Sequence, residues 1–152
     1  MNNSSDGSYF FMDLAIHNAH RASLRGEVPV GAIVAFENKV ISSASNETIE
    51  NKDPTAHAEI LAIRRACIAL NSHILDECDI YVTLEPCAMC AQAISLARIR
   101  RLYFGAYDKK YGGVEHGCRV FDHAIHKTEI IGGVFETQCS KILQDFFKKR
   151  RY

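Results

Sequence analysis

Residues 79–90 read DIYVTLEPCAMC, and this stretch decides how the chain folds. Its first six residues are rich in β-branched and aromatic side chains, which are typical of a strand. Pro86 suits the first turn of a helix, because a backbone N–H at that position would have no partner within the helix. The stretch therefore predicts a strand over 79–84 and a helix over 86–96.

Two cysteines lie at the start of that predicted helix. Cys87 and Cys90 are three residues apart, so their side chains lie on one side of a helix and can share a metal ion. The positive end of the helix dipole also lowers the pKa of a thiol there. A lone CxxC is equally typical of a redox pair or half of a zinc knuckle, so the motif indicates a function only together with partners.

The upstream motif His57-Ala58-Glu59 supplies such partners. It begins a second predicted helix, over 56–70. If the two helix starts meet at one end of the sheet, His57 completes a three-ligand metal site with an open fourth position, which is the catalytic pattern for zinc. Zinc makes bound water acidic, and Glu59 can move the proton of that water without binding the metal. The motifs together predict attack of water on an amidine-like carbon with loss of ammonia.

A structural zinc site remains an alternative, and it needs a fourth ligand. The candidates for this ligand are Cys67, Cys118 and His116. Disulfides are not expected, because a chain of this size can bury a core without them and no secretion signal supports them. Cys67, Cys78 and Cys139 lie in apolar surroundings and are predicted to be packing residues.

Helices and strands alternate around this unit. Besides the elements named above, helices are predicted over 10–24 and 137–149, strands over 28–36, 40–44, 101–105 and 128–131, and a loop with room for a short helix over 106–127. The pattern predicts an α/β fold in which helices cover both faces of a mixed sheet. The polar residues 1–7 are expected to be frayed.

Composition limits the function classes. The chain has 152 residues, of which 47% are hydrophobic and 24% charged, and this predicts one globular domain. The 18 basic and 18 acidic residues give a net charge of zero, so the total charge offers no support for nucleic-acid binding. The first residues do not resemble a secretory signal and no apolar run is long enough to span a membrane, so a cytoplasmic protein is expected.

Longer segments carry a family resemblance. PTAHAEI (54–60) and TLEPCAMC (83–90) are similar to the zinc deaminase superfamily of the cytidine deaminases. With EVPVGAI (27–33) and LQDFFKKRR (143–151), nearly the whole chain resembles the bacterial tRNA-specific adenosine deaminases of the TadA type. The resemblance implies a cytidine deaminase-like three-layer α/β/α sandwich with a five-stranded mixed sheet, formed by residues 1–152 as one domain. It also implies one Zn²⁺ per subunit and a homodimer.

The resemblance also implies roles for individual residues. His57, Cys87 and Cys90 would bind zinc, and Glu59 would be the proton shuttle. The substrate contacts would come from Asn46, Val30 and Pro29 around the base and from Asp108 beside the neighbouring nucleotide. The implied reaction converts adenosine to inosine at the wobble position of a tRNA anticodon, whose unpaired bases cost little to extrude.

Basic and aromatic residues suggest how RNA would be held. Arg98, Arg100, Arg101, Lys109 and Lys110 form one basic cluster, and residues 146–151 (FFKKRR) form another. Such clusters suit phosphate contacts and base stacking. The predicted RNA contacts are Lys109, Lys110, Phe147 and Arg150. Segment 114–127 departs from the family pattern, since His116-Gly117-Cys118 replaces its Gly-Ser pair.

Two other functions fit the same motifs. The first is a deaminase of free guanine, cytosine or cytidine, which needs the zinc site but not the FFKKRR segment. The second is a non-enzymatic, zinc-stabilised RNA-binding module, in which Glu59 would be dispensable.

Overall fold

One sheet of five strands forms the centre of the fold in the computed structural model, which describes residues 4–150. The strands are β1 Gly31–Phe36, β2 Lys39–Ser45, β3 Asp79–Leu84, β4 Arg101–Ala106 and β5 Glu129–Ile131. Their order across the sheet is β2-β1-β3-β4-β5. β1 pairs antiparallel with β2 and β3, whereas the β3–β4 and β4–β5 pairs are parallel. The prediction of a five-stranded mixed sheet is confirmed.

Helices cover both faces of this sheet. They are α1 Ser4–Leu24, α2 Ala58–Leu70, α3 Ala88–Leu96, α4 Val120–His123 and α5 Glu136–Lys149. On one face, Ala62 of α2 and Ile94 of α3 belong to the same buried cluster as Ile80. On the other face, Phe11 of α1 packs in a second cluster with Tyr81. Ile80 and Tyr81 point to opposite faces because successive side chains of a strand alternate. The predicted three-layer sandwich is therefore confirmed.

A close approach of helix to strand explains the glycine in EVPVGAI. A Cβ atom at Gly31 would clash with the carbonyl group of Ala15 in α1 and would lie 2.9 Å from the Cβ of Asn18. The Gly31 N–H also donates to Thr83 Oγ1 at 3.1 Å. Only glycine lets α1 lie this close to β1.

Two predicted N-terminal boundaries were wrong. α1 begins at Ser4 rather than at residue 10, so residues 4–7 are helical rather than frayed, and residues 1–3 lie outside the described part of the chain. β1 begins at Gly31 rather than at residue 28. The reason is a tight turn in which the Val30 N–H bonds to the Val28 carbonyl at 2.9 Å.

The two central helices begin two residues later than predicted, at Ala58 and Ala88. The preceding His57 and Cys87 have extended backbones, with ψ angles of 153° and 174°. These two side chains therefore lie at the N-terminal ends of helices. No helix within residues 4–150 has the length and apolar character needed to cross a membrane.

Candidate metal centre and substrate pocket

The starts of α2 and α3 bring three potential metal ligands together. His57 Nδ1 lies 3.7 Å from Cys87 Sγ and 3.4 Å from Cys90 Sγ. The ligand atoms of the three residues are all within 4.8 Å of one another. The predicted meeting of the two helix starts is thus confirmed, and these three side chains can hold one metal ion.

Within the part of the chain that the structure describes, this group does not form a closed four-ligand site. Among residues 4–150, no other histidine, cysteine, aspartate or glutamate joins the three as a candidate ligand. Cys118 is exposed, and the His116 Nδ1 instead lies 2.8 Å from Glu85 Oε1. Cys67 packs against the hydrophobic core. The structural-zinc alternative therefore lacks its fourth ligand.

The charges of the three groups are coupled. A hydrogen bond from the Cys90 thiol, together with the contact to His57, lowers the pKa of Cys87 to about 4. The same hydrogen bond and burial raise the pKa of Cys90, and the contact with Cys87 raises the pKa of His57. The protein alone therefore holds one thiolate readily, and a second thiolate needs an additional positive charge such as a metal ion.

Glu59 lies in the first turn of α2, two residues after His57. Its side chain is buried, and this burial raises the pKa of its carboxyl above the ordinary value of 4.5. Glu59 is not a member of the candidate metal group, yet it lines the same cavity as His57 and Cys87. A buried carboxyl with a raised pKa, set beside a metal site, suits proton transfer.

The cavity above these groups has a volume of about 740 Å³. It brings together most of the residues predicted from the sequence: Val30, Asn46, His57, Glu59, Cys87, Asp108, Lys110 and Phe147. Predicted residues from six separate parts of the chain thus surround one space. A cavity of this size is in the range typical of small-molecule pockets.

Four predicted residues do not line the cavity, and one of them is the fully buried Cys90. Pro29 is buried, and Lys109 is exposed beside its lining neighbour Lys110. The Arg150 guanidinium donates to the Gly26 carbonyl and lies 4.4 Å from the centre of the Phe146 ring. Arg150 therefore joins the end of α5 to the turn before β1.

About half of the residues that line the cavity were not predicted from the sequence. The residues not predicted are Val28, Thr48, Leu84, Glu85, Tyr107, Tyr111 and Leu143. Two of them carry a signal in the sequence, because Tyr107 and Tyr111 flank the predicted Asp108. Of the others, Val28, Leu84, Glu85 and Leu143 lie within the quoted segments EVPVGAI, TLEPCAMC and LQDFFKKRR without a signal of their own, and Thr48 reaches the cavity only through folding.

The side chains of Asn46 and Asp108 also shape the local backbone. Asn46 Oδ1 accepts a hydrogen bond from the Ala58 N–H at 2.8 Å. Asp108 Oδ1 accepts from the N–H groups of Lys110 and Tyr111, at 3.1 and 2.9 Å. Each residue therefore stabilises a turn or a helix start, and each has another polar atom that is not used in these bonds.

Part of the first basic cluster is engaged elsewhere. Arg100 makes two hydrogen bonds to the Asp79 carboxylate, at 3.0 and 2.9 Å, and Arg101 lies 2.7 Å from Glu129. Both pairs lie where β3, β4 and β5 begin, whereas Cys87 follows the other end of β3. The expectation of one basic cluster was wrong, because Arg100 and Arg101 lie at the start of β4 and Lys109 and Lys110 follow its end, and both arginines pair with acidic side chains.

Comparisons with known proteins agree with this geometry. A family model described as MafB19-like deaminase matches residues 6–151. A tRNA-specific adenosine deaminase of Agrobacterium fabrum is 49% identical over 143 residues, which are 93% of this chain and 94% of that protein.

Two solved structures of deaminases are also similar to this chain. One comes from work on A-to-I editing by tRNA:A34 deaminases at the wobble position of transfer RNA. It is 49% identical to this chain with a TM-score of 0.87, and the match covers 88% of this chain and 99% of that one. A guanine deaminase of Bacillus subtilis is 35% identical with a TM-score of 0.63, and that match covers 70% of this chain and 66% of the other. The chain belongs to the MafB19-like deaminases and, within the cytidine deaminase-like fold, to the family of the tRNA-specific adenosine deaminases.

Proposed function

We propose that this protein hydrolytically deaminates adenosine to inosine at the wobble position of a tRNA anticodon. The observation that carries the proposal is the three-ligand His57, Cys87 and Cys90 group with the buried Glu59 beside it, at the base of one cavity. The near full-length likeness to tRNA-specific adenosine deaminases supports RNA rather than a free base as the substrate.

The metal of this site is proposed to be one Zn²⁺ per chain. In a tetrahedral zinc site with Zn–S of about 2.3 Å and Zn–N of about 2.0 Å, ligand nitrogen and sulfur atoms lie about 3.5 Å apart. The observed separations of 3.7 and 3.4 Å bracket this value. Two thiols and an imidazole also form a donor set that zinc favours. When bound, zinc supplies Lewis-acid chemistry that makes water nucleophilic at neutral pH.

Glu59 is proposed to move the protons of the reaction. Its carboxylate accepts a proton from the attacking water and delivers a proton to N1 of adenine. The hydroxide oxygen adds to C6, and Glu59 then takes the second proton from this oxygen. It passes that proton to the amino nitrogen, which leaves as ammonia while the C6 carbonyl forms. The burial that raises the pKa of Glu59 favours its protonated form in this exchange.

The base is proposed to bind between Val30 and the metal-binding residues. Asn46 uses its Oδ1 on Ala58, which leaves its amide N–H groups for the base. Pro29, buried next to Val30, would set the position of this wall. Asp108 would contact the nucleotide next to the target.

The RNA strand is proposed to cross the mouth of the cavity. Lys109 and Lys110 would contact phosphates, and Phe147, which is 48% exposed, would stack on a base. Arg150 would reach a phosphate at the end of α5, beside its contact with Gly26. An anticodon loop suits this surface because its bases are already unpaired.

We also propose a homodimer of single-domain subunits in the cytoplasm, where a tRNA substrate would be found. The exposed apolar side chains of Leu96 and Ile125, on and beside the helices α3 and α4, support an interface there. The family match over residues 6–151 supports one domain.

The experiment is a nucleoside mass analysis of an anticodon stem-loop RNA with adenosine at the wobble position, after incubation with protein of known zinc content. Inosine at that position alone is the expected result. No inosine from protein that carries about one zinc per chain would contradict the proposal and favour a free-base deaminase. RNA binding without turnover would favour the non-enzymatic module.

A further inference from the structure

The carboxylate of Glu85 is buried and is not part of the proposed chemistry. Glu85 follows β3 directly, is 2% exposed and does not belong to the candidate metal group. A buried charge is costly unless several donors surround it, so its partners indicate what it does.

Those partners all come from one loop. Glu85 Oε1 accepts from the Asp108 N–H at 3.1 Å, and Oε2 accepts from the N–H groups of Val114, Glu115 and His116 at 3.2, 2.9 and 3.1 Å. The His116 ring adds a side-chain contact, with Nδ1 2.8 Å from Oε1. One carboxylate thus joins both ends of residues 108–116.

The loop fits tightly around this carboxylate. A Cβ atom at Gly112 would clash with Glu85 and would lie 2.6 Å from its carboxyl carbon. The Gly113 N–H donates to the Pro86 carbonyl at 2.8 Å, and Gly112 forms a bridge with Cys87. The loop therefore follows the outline of Glu85 and lies against the start of α3.

The same loop forms one wall of the cavity. Asp108 is the first of the two ends that Glu85 joins, Lys110 and Tyr111 lie between these ends, and all three residues line the cavity. The loop begins beside Tyr107, whose ring packs edge-on against His116 with centroids 6.1 Å apart. A shift of the loop would move these side chains, none of which is a member of the candidate metal group.

We propose that Glu85 is a positioning residue for the substrate, which acts by fixing loop 108–116, and that His116 completes this arrangement. The inference rests on the proposed function, since it assigns the loop to the RNA flanking the target base. Glu85 touches neither the reacting atoms nor the metal. It sets how well the flanking nucleotides are bound, not how fast the bound base reacts.

The alternative is that Glu85 only stabilises the fold around α3. The two roles differ in what a substitution changes. Loss of a structural brace would lower the melting temperature, the zinc content and kcat together. Loss of a positioning residue would raise KM for the RNA while kcat and zinc content are retained.

The test compares Glu85→Gln, His116→Ala and the double variant with the wild type on the stem-loop RNA. Gln has one acceptor oxygen, so in either orientation its NH2 group faces at least one N–H donor, and KM is expected to rise about tenfold or more. His116→Ala removes one hydrogen bond and is expected to raise KM about threefold to tenfold. The double variant is expected to match Glu85→Gln, because the histidine acts through the glutamate.

Hydrogen exchange and matched controls complete the test. The amides of residues 108 and 114–116 are expected to exchange faster in both single variants, while those of β3 are unchanged. The exposed residues Glu77 and His73 provide the controls Glu77→Gln and His73→Ala, which are expected to behave as wild type.

The outcomes separate this inference from the proposed function. Wild-type protein that makes no inosine would overturn the proposed function, and this inference with it. Active wild type with unchanged KM in both variants would overturn the inference alone. So would a loss confined to kcat with loss of zinc, in which case Glu85 is a structural brace. Should Glu85→Gln not fold, His116→Ala decides by the same criteria.

Discussion

The Asn46 side chain caps the helix that begins at Ala58. Its Oδ1 accepts the Ala58 N–H at 2.8 Å, which satisfies a backbone donor that would otherwise lack an intrahelical partner. Ala58 lies between the potential ligand His57 and the acid Glu59. One amide at the end of β2 therefore fixes the start of the helix on which both chemical groups depend.

Substitutions of Asn46 can separate this cap from a contact with the base. Asn46→Ala is expected to lower the free energy of unfolding by about 1 kcal/mol and to reduce kcat/KM. Asn46→Asp keeps an acceptor at a helix start, so stability is expected to be retained, but it has no N–H to offer a base. Denaturant unfolding and kcat/KM on RNA measure the two effects. Full activity of Asn46→Asp would mean that Asn46 acts only as a cap.

Glu59→Gln is expected to reduce kcat by about 10²-fold to 10⁴-fold, the usual contribution of a positioned acid–base group. Zinc content should not change, because Glu59 is not one of the candidate ligands. Single-turnover kinetics and metal analysis provide the measurements. Wild-type turnover in this variant would remove Glu59 from the mechanism.

Cys87→Ser is expected to lose the metal and to lower thermal stability, because the ion would join the starts of α2 and α3. The exposed Cys118 gives the matched control Cys118→Ser, which should retain both metal and stability. Metal content by mass spectrometry and melting curves with and without chelator distinguish the two variants. Full metal occupancy in Cys87→Ser would show that the ligand set is wrong.

The carboxyl of Glu27 is expected to make the free energy of unfolding depend on pH. Burial acts to raise the pKa of this carboxyl, but hydrogen bonds from the N–H groups of Glu50 and Ile49 and from the Thr48 hydroxyl outweigh it and hold the pKa below 4.5. A carboxyl with a lowered pKa stabilises the fold above about pH 4.5, and this contribution is lost as the pH falls through the folded-state value.

Glu27→Gln should therefore lower the free energy of unfolding at pH 7 by about 2 kcal/mol. The difference from wild type should shrink as the pH falls below about 4. Denaturant unfolding at a series of pH values measures it, with the exposed Glu37→Gln as control. A difference that is independent of pH would mean that the charge of Glu27 does not contribute to the free energy of unfolding.

The end of α5 tests the choice between RNA and a free base. A deletion of residues 145–152 would not test this choice cleanly, because it would also remove the buried Phe146 and so destabilise the fold. Phe147→Ala instead removes a half-exposed ring that lines the cavity. We expect kcat/KM on RNA to fall about tenfold or more, the usual loss when one stacked base is no longer supported. Phe10→Ala, which removes an exposed ring of α1, is the control and should have wild-type activity.

The sequence predicted the sheet, the helices and the chemical group, because these depend on local patterns. Alternating apolar residues fix strands and helical faces, and His57, Cys87 and Cys90 lie at helix starts marked by nearby prolines. The errors at the start of α1 and β1 arose where no such pattern marks a boundary. At β1 the tight turn at Val28, not residue type, sets where pairing begins.

Only the tertiary structure decided which charged side chains serve the cavity. Arg100 and Arg101 belong to one basic cluster with Lys109 and Lys110 in the sequence, yet in the structure they pair with Asp79 and Glu129 at the other end of β4. In the sequence, Glu85 is only one residue of the TLEPCAMC motif. In the structure, its carboxylate accepts hydrogen bonds from the loop at 108–116. The physical reason is that the sequence by itself determines which groups are present and their local spacing. Burial and partners from distant segments determine what each charge can do.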